Sequence, residues 1–157
     1  MRIDRVVVNA SPLICLYKSG LSQLLPELFS EIVVCDEVYQ EVTAKSGVDL
    51  SSMKHINRAG NIIIPPSVTP WDLGAGESSV LAFALKSPGC WAVIDDREAR
   101  RCATSLGCRH TGTVGVIVLA KKRGNITSVR DSLMKLQNAG LWLSETFIAE
   151  ACCRAGE

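Results

Sequence analysis

Several polar side chains directly follow apolar segments of this chain, at points where they could bind a cation. Carboxylates brought close together repel one another unless they share a cation. Oxygen ligands without histidine or cysteine are the set that Mg²⁺ and Mn²⁺ prefer. Asn9, Asp95 and Asp96 directly follow predicted strands, whereas Glu41 lies one turn into a predicted helix and Glu77 begins another. The candidate ligands are these four carboxylates, with Asn9 beside them.

Each of these positions also has an ordinary structural explanation. Ser11 and Asp96 are good N-cap residues, and Glu77 falls in a predicted first helical turn, where the helix dipole favours an anion. Glu41 can be a solvated helix residue. A cation site is therefore indicated only if several of these carboxylates lie close together in the folded protein.

Basic residues are concentrated in one part of the chain. Residues 97–135 hold nine Lys and Arg against two Asp and Glu, whereas residues 1–96 hold seven against eleven. An acidic portion followed by a basic segment is expected of a protein that binds metal cations next to a polyanion, although solvated helix faces give the same pattern. Arg97, Arg100 and Arg101 share helical spacing and are candidates for contact with the backbone of a nucleic acid.

Two further features could contact nucleic acid. Thr113 lies at a predicted helix start, where backbone N–H groups can meet a phosphate. Trp71 could stack on a base or pack on its own domain. The sequence has no P-loop and no glycine fingerprint, which disfavours a nucleotide-binding protein. With His55 and His110 as the only histidines, no Ser-His-Asp or Cys-His arrangement is credible.

The elements that must position these residues alternate along the chain. Apolar runs predict strands at 3–8, 31–35, 61–64, 91–94 and 108–111. Helices are predicted from Ser11 as N-cap, at 21–29, after Asp36 as cap, at 49–59, 77–86, from Asp96 to near 107, at 113–123, and from about 128 and 144. This alternation predicts an α/β protein with a parallel sheet covered on both faces. In such sheets the ligand site lies beyond the carboxyl ends of the strands.

Length and composition indicate one globular domain over residues 1–157, because 47% of the residues are hydrophobic and 21% are charged. No apolar run approaches the roughly 20 residues of a membrane-spanning helix, and the N-terminus does not have the pattern of a secretory signal. We therefore expect a cytoplasmic protein with no membrane contact. The seven scattered cysteines are expected to be mainly small buried side chains and not a zinc site.

Five short strings in a fixed order carry a family resemblance. They are residues 7–14 (VVNASPLI), 38–42 (VYQEV), 73–77 (LGAGE), 93–100 (VIDDREAR) and 112–116 (GTVGV). Together they resemble PIN domains, specifically a PIN-like subgroup of unassigned function found beside small antitoxin-like partners in prokaryotic genomes. The resemblance covers nearly the whole chain.

The resemblance implies a three-layer α/β/α sandwich with a central parallel sheet. It implies a metal-dependent ribonuclease, a hydrolase that is often the toxin of a toxin-antitoxin pair. Glu41, Glu77 and Asp96 would hold Mg²⁺ or Mn²⁺, with Asp95 as neighbour or alternate ligand and Ser11 orienting a water. Asn9 stands where the family usually has aspartate, so metal would bind weakly or not at all.

Two interpretations follow from the resemblance. The first is an endoribonuclease with RNA as substrate, a small antitoxin-like protein as partner and a homodimeric state. The apolar residues Leu141, Leu143, Phe147 and Ile148 are candidates for the dimer face. The second is a catalytically weakened PIN-like module that binds RNA or a protein without cleavage, and Asn9 favours it.

Overall fold

A parallel sheet of five strands forms the centre of the protein. The computed structural model describes residues 3–157. The strands are β1 (Arg5–Val8), β2 (Glu31–Cys35), β3 (Ile56–Ala59), β4 (Cys90–Val93) and β5 (His110–Thr111). Their order is β3-β2-β1-β4-β5, and every neighbouring pair is parallel. β1 is therefore the central strand, and its carboxyl end lies between those of β2 and β4.

Eight α-helices surround the sheet in the part of the chain that the structure describes. They are α1 (Ala10–Lys18), α2 (Leu24–Leu28), α3 (Asp36–Ser46), α4 (Ala75–Lys86), α5 (Arg97–Ser105), α6 (Thr113–Lys122), α7 (Val129–Asn138) and α8 (Glu145–Arg154). Short 3₁₀ turns occupy Leu50–Ser52 and Thr69–Trp71.

The helices form two layers. α4 packs against β1, β2 and β4 and contacts α5, whereas α1 contacts α3, α6 and α7, and α8 packs on α6 and α7. Parallel strands require such crossover helices, and the right-handed connection places them on a defined face. The three-layer α/β/α sandwich expected from the sequence is thus confirmed.

The core lies on both sides of the central strands. Val6, Val7 and Val8 are fully buried, as are Val93 and Ile94 at the end of β4. Strands covered on both faces have continuous apolar runs instead of alternating ones, which is why these segments were recognisable in the sequence. Within residues 3–157, no helix has both the length and the apolar character required to cross a membrane.

All seven cysteines are free. Five of them are buried, Cys15 is half-buried and Cys153 is exposed. Burial raises the pKa of Cys35 to about 12 and that of Cys90 to about 11, so these thiols stay protonated. The expectation of small buried side chains holds for most of the set.

The segment 49–64 differs from the sequence prediction. The predicted helix 49–59 is a 3₁₀ turn followed by β3, and the predicted strand 61–64 lies outside the sheet. β3 pairs with β2 from Ile56 to Ala59, and none of its four residues is fully buried. Pairing at a solvated sheet edge depends on backbone hydrogen bonds, which leave little apolar signal in the sequence.

Two helix starts also differ from the prediction. α1 begins at Ala10, so the N-cap position is Asn9 and not Ser11, and Asp36 is the first residue of α3 and not its cap. Asp36 instead forms an ion pair with Arg58 of β3 at 2.5 Å. The expected caps of the last two helices are present as Ser128 and Ser144.

Candidate metal site and its surroundings

Asn9 lies at the carboxyl end of the central strand and is almost completely buried, with 2% of its surface exposed. Its backbone N–H donates to the carbonyl oxygen of Val93, which ties the end of β1 to the end of β4. Its side-chain Nδ2 donates to Oε1 of Glu77 over 3.3 Å. Its Oδ1 is buried without a hydrogen-bond partner. A buried amide oxygen without a hydrogen-bond partner destabilises the folded state, so a hydrogen-bond donor or a cation bound to this atom would be stabilising.

Gly76 packs closely against that oxygen. A Cβ placed on Gly76 would lie 3.2 Å from Asn9 Oδ1 and 3.3 Å from Oε2 of Glu41. The two oxygens therefore approach the same point from different elements, Asn9 from the end of β1 and Glu41 from α3. A larger residue at position 76 would crowd this point. We call the group formed by Asn9, Glu41, Gly76 and Glu77 the acidic pocket.

Lys45 adds a cation to the acidic pocket. Its Nζ lies 2.7 Å from Glu41 Oε1, one helical turn further along α3. The hydrogen bond to Glu41 raises the pKa of Lys45, and the charge of Glu77 adds a smaller contribution. Sequence reasoning missed Lys45, although its spacing of four residues from Glu41 on one helix is the pattern of an ion pair.

Asp95 is held by the start of α6. Its Oδ1 accepts the backbone N–H of Thr113 over 2.8 Å, and its Oδ2 accepts the Thr113 hydroxyl. Close packing over Gly112 permits this contact, because a Cβ there would lie 2.7 Å from Asp95 Oδ1 and 3.2 Å from Nη1 of Arg100. Thr113 is fully buried. Its two donors serve Asp95, so the arrangement does not support the expected phosphate contact by Thr113.

Asp96 caps α5. Its Oδ2 accepts the N–H of Ala99 over 2.9 Å, and the residue as a whole is exposed. This is the structural role that the sequence allowed as an alternative to metal binding. The convergence of Asp96 with Glu41 and Glu77 on one ion stays a prediction.

Ser11 and Cys15 lie on α1 near this end of the sheet. Burial raises the pKa of the Cys15 thiol and the charge of Asp95 raises it further, whereas a hydrogen bond with Ser11 lowers it. Ser11 is exposed. Its expected role in orienting a water also stays a prediction.

The candidate RNA-binding arginines are exposed along α5. Arg101 forms an ion pair with Glu98 at 3.0 Å. Within residues 3–157, neither Arg97 nor Arg100 has an ion-pair partner. Their positive charge remains available to an anion from outside the protein.

The donor set of the acidic pocket suits a hard divalent cation. Asn9 Oδ1 is buried and unpartnered, and a carboxylate oxygen of Glu41 approaches the same glycine, Gly76. These are oxygen donors of the type Mg²⁺ and Mn²⁺ prefer. Across residues 3–157, no three His, Cys, Asp or Glu side chains are grouped so as to hold an ion. The contacts of Asn9 with Glu77, and of Asn9 and Glu41 with Gly76, make these three side chains candidate donors to an ion, and Asp96 stays a predicted one.

Comparison with known proteins agrees with the fold. No significant match to the chain was found among curated proteins or among solved structures. A family model described as a PIN domain matches residues 5–157, which is nearly the whole chain and includes every residue of the acidic pocket. The chain therefore belongs to the PIN-domain family.

Proposed function

We propose that this protein is a metal-dependent endoribonuclease of the PIN type that hydrolyses RNA phosphodiester bonds. Membership of the PIN-domain family suggests a nuclease. The observation that carries the proposal is the buried Asn9 Oδ1, which has no partner and lies, like Oε2 of Glu41, close to Gly76. The proposal treats residues 1–157 as one domain.

The residues of the acidic pocket have separate roles in this proposal. Asn9, Glu41, Glu77 and Asp96 would hold Mg²⁺ or Mn²⁺, with Asp95 as neighbour or alternate ligand. A bound cation of this kind lowers the pKa of water and stabilises charge on the leaving oxygen of a phosphodiester. The hydrogen bond from Asn9 orients Glu77, and Thr113 orients Asp95. Ser11 is available to position a water at the exposed side of α1.

A cleavage assay tests the proposal. Purified protein with Mn²⁺ should cut a labelled pool of single-stranded RNA, and EDTA should stop the reaction. Glu41→Gln and Glu77→Gln should each reduce the rate at least about 100-fold, since each removes an anionic donor to the cation. The matched control is Glu150→Gln, which changes an exposed carboxylate on α8. Equal rates in the presence of EDTA, or in either pocket variant, would contradict a metal-dependent mechanism.

A specific observation favours the second interpretation, a module that binds RNA or a protein without cleavage. The pocket has an amide at position 9, and Lys45 already neutralises part of the charge on Glu41. Both features weaken the attraction for a dication. RNA that is retained but uncut across a range of Mn²⁺ concentrations would establish this interpretation in place of the first.

We further propose the partners that the PIN resemblance implies, namely a small antitoxin-like protein and a second copy of this chain, in the cytoplasm of a prokaryote. The proposed dimer face needs revision, because Ile148 and Leu143 are buried in the core. Phe147 is 39% exposed and Trp142 is 83% exposed, so these two side chains are the better candidates. Light scattering should give a dimeric mass for the wild type and a monomeric mass for Trp142→Ser. A monomeric wild type at high protein concentration would refute the self-association.

A further inference from the structure

A groove runs beside Asp95, outside the acidic pocket. It has a volume of about 590 Å³, and its lining includes Trp71, Asp95, Arg97, Arg100, Thr104 and His110. α5 supplies most of this lining, and the 3₁₀ turn Thr69–Trp71 packs against α5. We call it the α5 groove. It has the size of a pocket for one small organic ligand, not for a nucleic-acid duplex.

The charge of the α5 groove suits a phosphate backbone. Arg97 and Arg100 are exposed and lack an ion-pair partner within residues 3–157. Asp95 is the acidic residue of the lining, and both its oxygens already accept hydrogen bonds from Thr113. The two arginines therefore present a net positive surface to an approaching anion.

The groove also carries an aromatic side chain. Trp71 is half-buried and ends the 3₁₀ turn, between Pro70 and Asp72. Asp72 has a positive φ of 51°, which turns the chain sharply after the indole. A half-buried indole beside unpaired arginines is the combination that stacks on a base while cations hold the backbone.

Polar groups complete the lining. Nε2 of His110 lies 3.0 Å from the Thr104 hydroxyl, and its Nδ1 is buried without a partner. Burial lowers the pKa of His110 and the charge of Arg100 lowers it further, so the imidazole is neutral at pH 7. The Thr104 hydroxyl also donates to the carbonyl oxygen of Arg100 over 3.0 Å, which leaves its oxygen as an acceptor for the edge of a nucleobase.

We propose that the α5 groove is a subsite for one unpaired nucleotide of a single strand, with the base stacked on Trp71 and the flanking phosphates on Arg97 and Arg100. The subsite deepens the proposed function and rests on it for the identity of the polymer, because Asp95 joins the groove to the end of the sheet that carries the acidic pocket. A paired base in a duplex has no free face for Trp71. Binding here therefore selects single-stranded segments.

Binding without cleavage tests this proposal independently of catalysis. The probe is a fluorescein-labelled RNA octamer with 2′-O-methyl sugars, titrated in EDTA at low salt and followed by anisotropy. Trp71→Leu keeps an apolar side chain but no π-face and should weaken binding about tenfold, whereas Trp71→Phe should retain most of the affinity. Tyr17→Leu is the matched control, because it removes a half-buried aromatic ring outside the groove, and should change the dissociation constant less than twofold.

An abasic scan locates the nucleotide that Trp71 contacts. Removing one base of the octamer at a time should weaken wild-type binding about tenfold at one position. Trp71→Leu should bind the same abasic probe as tightly as it binds the intact octamer, since the variant already lacks the indole on which the base stacks. A duplex of the same sequence should bind wild type and Trp71→Leu equally.

Failure of this proposal and failure of the proposed nuclease are distinguishable. Equal octamer binding by wild type and Trp71→Leu, or no binding of the octamer by the wild type, overturns the subsite, even if Mn²⁺-dependent cleavage is found. Trp71-dependent binding together with intact RNA in Mn²⁺ supports the subsite and rejects the nuclease. Retention of octamer affinity in Arg97→Ala and Arg100→Ala would overturn the placement of the phosphates.

Discussion

Nδ2 of Asn9 donates a hydrogen bond to Oε1 of Glu77 over 3.3 Å, although the two residues are 68 positions apart in the chain. This contact turns the other side of the amide, Oδ1, toward Gly76 and Glu41. An aspartate at position 9 could not donate to Glu77. The amide thus stabilises the pocket without a metal but contributes no charge to hold one.

Replacing Asn9 by Asp should tighten Mn²⁺ binding at least about tenfold. A unit charge about 4 Å from a monovalent partner contributes on the order of 4 kcal/mol at an effective dielectric constant of 20, before desolvation and carboxylate repulsion reduce it. Without metal the variant should also unfold at a lower temperature than wild type, because repulsion between two carboxylates replaces the hydrogen bond from position 9 to Glu77. Mn²⁺ should restore its stability. Calorimetric titration and thermal unfolding measure both effects. Asn138→Asp, at the end of α7, is the control for the added negative charge. Equal Mn²⁺ affinities of wild type and Asn9→Asp would mean that position 9 faces away from the ion.

Replacing Lys45 by Gln should also tighten Mn²⁺ binding, by up to about fivefold. Lys45 is largely exposed, and solvent screens its charge, so the effect is smaller than that of Asn9→Asp. The measurement is the Mn²⁺ dissociation constant, with Lys54→Gln as the control. Weaker binding in Lys45→Gln would show that Lys45 supports the pocket and does not compete with the cation.

Two substitutions of Asp96 separate its role as a helix cap from a role as a ligand. Asp96→Asn keeps an oxygen for the Ala99 N–H, so its free energy of unfolding should stay close to that of wild type. Asp96→Ala loses the cap and should be destabilised by about 1 kcal/mol. If Asp96 is a metal ligand, both variants lose Mn²⁺-dependent cleavage. Full activity of Asp96→Asn would leave only the capping role.

The salt dependence of RNA binding should reveal the contribution of α5. Replacing Arg97 and Arg100 by Ala should flatten the slope of log affinity against log salt by about 0.7 for each phosphate that the variant no longer neutralises. Lys54→Ala with Lys86→Ala removes the same charge from residues that do not line the α5 groove and should leave the slope unchanged. An unchanged slope in the arginine variant would place the RNA elsewhere on the protein.

Acid should destabilise the protein partly through Glu157. Its carboxylate accepts the Val129 N–H over 2.6 Å and the Ser128 hydroxyl over 2.9 Å. These bonds, the one from Val129 first, lower the pKa of Glu157. The stabilisation is therefore present above the unfolded pKa of about 4.3 and is lost as the pH falls through the lower folded value.

Glu157→Gln should accordingly be less stable than wild type at pH 7, and the difference should shrink as the pH falls below about 4. Urea unfolding at a series of pH values measures it. Glu150→Gln, an exposed carboxylate on α8, should follow the wild-type curve. A pH-independent difference between wild type and Glu157→Gln would contradict the role of its charge.

The α/β class and most of the elements follow from the amino-acid sequence alone, because strands buried on both faces must be apolar along their whole length. Val6 to Val8 and Ile32 to Cys35 are examples. The sequence does not predict β3, whose residues Ile56–Ala59 are half-buried or exposed and take their place from backbone pairing with β2.

The candidate site was likewise only partly predictable from the sequence. The positions of Asn9 and Asp95 beyond the carboxyl ends of strands were predictable, since strand ends can be inferred from local pattern. Which atoms meet depends on the folded chain: Asn9 with Glu77, Gly76 with Glu41, and Asp95 with Thr113. These contacts join residues from different elements. They depend on how α3, α4 and α6 pack around the end of the sheet, and no local pattern in the sequence encodes that packing.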